Sequence, residues 1–157
     1  MNKEKQNLVN LLSKIDQKQK ELKQLKKEYN AAFSALSESW KKQVSSTYPN
    51  LHPCDIDEYV GVDIVYEGRT YNIFIAKLRE KLYCMFSHNQ KDKSTYDLTL
   101  RDVGKELVDK LNKLFCDNPE EKTTVYTGHG VYKEFKKEDY DKAFDFFMKV
   151  VNTFASY

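Results

Sequence analysis

The sequence predicts an α+β fold. It has a long N-terminal helix and an antiparallel β meander of three to five strands covered by helices, in the order α-β-β-β-α-β(β)-α. Three observations predict it. Residues 1–44 contain no Pro or Gly and repeat an apolar residue every seven positions: Leu8, Ile15, Leu22, Tyr29, Leu36. Residues 59–88 are rich in Val, Ile, Tyr and Phe, with a Glu67-Gly68 turn between alternating runs. Two later segments return to helical spacing.

The opening helix measures roughly 65 Å at about 1.5 Å per residue. With Leu8 at position a of a heptad, Leu11 and Leu25 fall at d, with Lys18 at the d position between them. Glu21 at g and Lys26 at e stand five apart, the spacing of an interchain pair in a parallel dimer. From Tyr29 the stripe becomes Tyr29, Phe33, Leu36, Trp40, Val44, which is nearer a 3.6 spacing and more aromatic. Such a stripe suits a globular surface better than a narrow seam. Residues 1–28 are therefore expected to form a projecting coiled-coil-like arm. Residues 29–157 are expected to form the α+β domain, with the second half of the helix docked on it.

Pro49 and Pro53 end the helix. Strands are expected from Tyr59 to Tyr66, Arg69 to Leu78 and Leu82 to His88, the last two joined by an Arg79-Glu80-Lys81 turn. The second strand is apolar on both faces. Tyr71, Ile73 and Ile75 point one way, and Phe74, Ala76 and Leu78 the other, so it should be internal and covered on both sides. One expected cover is the Tyr29–Val44 stripe. After a polar loop from Asn89 to Asp97, Thr99 and Asp102 cap a helix running to Phe115, with the stripe Leu100, Val103, Leu107, Leu111, Leu114. Asp117-Asn118-Pro119 stops it. Lys122–Thr127 and Val131–Phe135 read as short strands around a Gly128-His129-Gly130 turn. The final helix, Glu138 to Ala155, carries Tyr140, Ala143, Phe144, Phe147, Val151 and Phe154 on one face.

Composition narrows the function classes. The 157 residues hold 26 basic and 24 acidic side chains, a net charge of +2. That near balance gives no electrostatic reason for an obligate nucleic-acid or membrane partner. Arg69, Arg79 and Arg101 are the only arginines, a small number for bidentate base or phosphate recognition. Cys54, Cys84 and Cys116 are odd in number and far apart, so they make no disulfide framework and fit a reducing, cytoplasmic setting. No apolar run approaches a bilayer span of about 20 residues.

Candidate chemistry is sparse. His129, between two glycines and flanked by Tyr126 and Tyr132, could grip a small molecule or nucleotide, yet no orienting partner or nucleophile accompanies it. His52, Cys54, Cys84 and His88 lack the paired spacing of a zinc site, and no metal or cofactor is expected. Alternation puts Cys84 beside Leu82 and Phe86, which predicts a buried thiol. A hairpin with Asp63 and Lys77 resembles that of metal-dependent nucleases of the restriction-enzyme type, which place Glu-x-Lys on the second strand. Here Ile75 stands at the Glu position, so the resemblance implies at most a degenerate, nuclease-like fold. Lys20, Lys23 and Lys27 of the arm could meet nucleic-acid phosphates.

The leading expectation is a non-enzymatic protein. It self-associates, as a homodimer, through Leu8, Leu11, Ile15, Leu22 and Leu25, and it binds another macromolecule, with a protein as the first candidate. Ligand binding at Tyr126–Tyr132 and nucleic-acid binding through the lysines are the alternatives.

Overall fold

A computed structural model describes residues 2–53, 60–78, 81–88, 105–116 and 130–155. Its elements are α1 (Lys3–Thr47), β1 (Val60–Tyr66), β2 (Arg69–Leu78), β3 (Lys81–His88), α2 (Lys105–Phe115), β4 (Val131–Lys136) and α3 (Tyr140–Ala155). Among the described residues this is the predicted α+β order, with one strand between the last two helices. The chain divides within α1 into two compact units, Met1–Glu38 and Ser39–Tyr157. The Thr99–Asp102 capping pair, Leu100, Val103, the Lys122–Thr127 stretch and the Gly128-His129 part of the turn lie outside the described residues.

The first unit is helical. Asn2 caps it: its Oδ1 accepts a hydrogen bond from the Lys5 amide at 2.9 Å. Glu4 in the first turn complements the positive end of the helix. Gln6 Nε2 donates to Asn10 Oδ1 at 3.1 Å, and Gln17 Nε2 donates to Glu21 Oε1 at 3.3 Å. Both are one-turn pairs that stabilise an exposed helix surface.

In the second unit the strands form one antiparallel sheet in the order β1-β2-β3-β4. The β1–β2 hairpin closes between Tyr66 and Arg69. Glu67 and Gly68 both take positive φ, 49° and 79°, the combination of a two-residue turn matched to the sheet's twist. That turn sets the register, so Asp63 pairs with Asn72 and Ile64 with Tyr71.

The core lies where α3 rests against β1, β2 and β3. Phe144, Phe147, Val150, Val151 and Phe154 of α3 are buried, as are Val62, Ile64, Ile73, Ile75, Cys84 and Phe86 of the sheet. Phe154 meets Phe86 with ring centroids 4.9 Å apart and Tyr66 edge-on at 5.9 Å. On α2, Leu107, Val108, Leu111 and Phe115 are buried, and Phe115 sits edge-on to Phe146 at 5.1 Å.

As predicted, β2 is internal, and Tyr71 to Ala76 are buried on both faces. The helix lying against its Tyr71–Ile73–Ile75 face is α3. The end of α1 meets α3 instead of replacing it. Trp40 is buried and stacks on Phe144, with centroids 5.1 Å apart and planes 5° apart. Val44, one turn on, is also buried. The Tyr48 hydroxyl then donates to Asn152 Oδ1 at 3.0 Å.

Candidate functional site

The sequence-predicted seam residues all lie on α1, and all are exposed. Leu8, Leu11, Ile15, Leu22 and Leu25 keep between 46 % and 61 % of their surface. Val9, Leu12 and Tyr29 are exposed beside them. The a and d positions of one helix share a face, so these side chains line one strip, interrupted at d by Lys18.

Lys20, Lys23 and Lys27 are exposed on the same helix. Their heptad positions, f, b and f, turn them away from the a/d strip.

The proposed ligand segment is described only at its end. Tyr126 and His129 lie outside the described residues. Tyr132 is on β4, 39 % exposed, with its ring edge-on to Tyr83 at 5.7 Å. Near the other end of β4, Lys81, Glu134, Phe135, Lys136, Lys137 and Glu138 line a depression of about 420 Å³. Lys81 Nζ pairs with Glu134 Oε2 at 3.1 Å. That hydrogen bond raises the lysine's pKa above its ordinary value.

The nuclease-like hairpin does not assemble a site. Asp63 pairs with Asn72 and shares its face of the sheet, whereas Lys77 lies on the face of Tyr71, Ile73 and Ile75. The carboxylate and the lysine therefore point to opposite sides. Asp63 is occupied structurally: Asn72 Nδ2 donates to its Oδ1, and His52 Nδ1 stands 3.2 Å from its Oδ2. Desolvation lowers the pKa of Lys77.

Cys84 is fully buried, and burial pushes its thiol pKa far above the ordinary value. An inert structural thiol is the result. Among the described residues, no three His, Cys, Asp or Glu side chains gather where they could hold a metal ion. Nor is any described helix long and apolar enough to cross a membrane.

A polar group at the turn end of the β1–β2 hairpin was not anticipated. Tyr71 is pushed up in pKa mainly by burial, while a hydrogen bond and charge from Arg69 pull it back. Lys110 Nζ of α2 sits 5.3 Å above the Tyr66 ring. Among the described residues, the buried Arg69 Nη1 has no acceptor. Arg69 and Tyr71 lie two apart on one strand, and Tyr66 is the cross-strand partner of Arg69, whereas Lys110 comes from α2 and no local spacing places it over the Tyr66 ring.

Comparison of the chain with protein-family models, with curated proteins and with solved structures finds no match.

Proposed function

We propose that this protein self-associates through α1 and that the assembled chain serves as a binding platform for another macromolecule. The observation that carries the reading is the exposed strip Leu8, Leu11, Ile15, Leu22, Leu25. About half of each side chain's surface is still exposed, so covering the rest gains roughly half of the about 1.5–3 kcal/mol that full burial of such a side chain supplies. A second copy presents the same strip and so can cover it symmetrically. The free thiols of Cys84 and Cys116 support a reducing, cytoplasmic setting.

Light scattering on the full chain tests the assembly. The native chain is expected at twice the monomer mass or more. Leu22→Asp is expected to return it to monomer mass, and Lys23→Asp, off the strip, to leave the assembly intact. A native chain that stays monomeric at high concentration overturns the proposal.

A further inference from the structure

We propose that α1 pairs with α1 of a second copy in antiparallel orientation. The register sets Leu8 against the partner's Leu25, Leu11 against the partner's Leu22, and Ile15 against the partner's Lys18. This orientation rests on the self-association reading above.

The argument starts from Lys18, which falls at d in the middle of the strip. In a parallel, in-register pair, like positions face each other. Lys18 would then meet Lys18, so that two like charges and two long stems share one layer and no apolar side chain fills it from either copy. Sliding a parallel pair by one heptad relieves the clash, but it leaves Leu8 and Leu11 of one chain bare. Antiparallel pairing sets a against d instead. Each Lys18 then lies along an Ile15, with its methylene stem covering apolar surface and its ammonium reaching the edge of the seam. Leu8, Leu11, Leu22 and Leu25, all exposed in the single chain, are covered in both copies.

The flanking charges agree. In this register g faces g, so Lys14 meets the partner's Glu21, and by symmetry the pair occurs twice. Parallel pairing offers Glu21 with the partner's Lys26, also twice, and leaves Lys14 beside the neutral Gln19. Charge pairs therefore balance between the orientations, and the lysine layer separates them. The cost of antiparallel pairing is Lys5 near the partner's Lys26. That contact falls at the outer ends of the paired segment, where solvent and salt screen it.

Two experiments on the full chain test the orientation. An equal mixture of Leu8→Cys and Leu25→Cys chains is oxidised, digested and examined by mass spectrometry for disulfide-linked peptides. The peptide joining positions 8 and 25 supports the proposal, whereas a peptide joining 8 to 8 overturns it. In the second, Lys14→Glu should weaken the dimer roughly tenfold. The exchange Lys14→Glu with Glu21→Lys should restore it, because antiparallel pairing then regains opposite charges. In parallel pairing the same exchange sets two lysines together, so a double variant that stays weak also overturns the proposal. The two readings fail separately: a native chain that is monomeric removes self-association itself, whereas a native dimer with 8-to-8 linkage removes only the orientation.

Discussion

Trp40→Ala should damage the globular unit far more than any substitution on the exposed strip. Trp40 is 4 % exposed and stacks on Phe144 at 5.1 Å. A buried tryptophan covers about 150–250 Å², worth roughly 4–6 kcal/mol at about 25 cal/mol per Å² as an upper bound. Large-to-small aromatic substitutions lose about 3–5 kcal/mol once the surroundings relax. A domain of this size is stable by about 5–15 kcal/mol, so the loss is a large fraction of the total. The melting temperature should fall by about 10–20 °C. Urea unfolding followed by tyrosine fluorescence is the suitable assay, because it reports on the sheet-bearing unit rather than on the length of α1. Trp40→Phe, which keeps a ring against Phe144, should lose only about 1–2 kcal/mol. A loss below about 1 kcal/mol for Trp40→Ala would refute the reasoning, since the end of α1 would then not be held by this stack.

Two further outcomes follow from the sheet. Gly130 has φ of 112°, and an added Cβ would stand 2.1 Å from the Phe86 carbonyl oxygen and 2.7 Å from Ser87 Cα. Gly130→Ala should therefore cost about 2–3 kcal/mol or more, read as a lower urea midpoint; an unchanged midpoint would contradict this close approach. Cys84 and Tyr71 both have folded pKa values raised by burial, above ordinary values of 9.0 and 10.0. At alkaline pH the unfolded chain loses these protons while the folded chain keeps them. Their contribution is thus fully present below about pH 9 and is lost as pH rises through 9 and 10. Urea titrations across that window should show falling stability, and Cys84→Ala should flatten the first part of the fall; an equally steep fall in the variant would rule out the thiol as a cause.

Local pattern made much of the fold legible. Alternation and the Glu67-Gly68 turn placed β2 at Arg69–Leu78, and the absence of Pro and Gly carried α1 past Val44 to Thr47. Cys84 was readable as buried from its two-residue spacing to Leu82 and Phe86. The opposite facing of Asp63 and Lys77 was also encoded, because a two-residue turn between Tyr66 and Arg69 sets which residues pair. Val108, Phe115 and Val150 escaped the helical stripes, since a helix buried between a sheet and other helices shows a wider apolar arc than an amphipathic surface helix.

What the sequence by itself determined is the order of the described elements and the heptad spacing of apolar residues along α1. Both arise from interactions between residues a few positions apart, where spacing dictates the face. Tertiary structure decided which surface each face meets. It sent Trp40 to Phe144 of α3, seated α3 on three strands, and set Lys110 of α2 over the Tyr66 ring. Those contacts join residues far apart in the chain, and burial against a partner surface, which no local spacing records, selects them. The strip from Leu8 to Leu25 belongs to both accounts: its periodicity is local, and its exposure is a property of the folded chain.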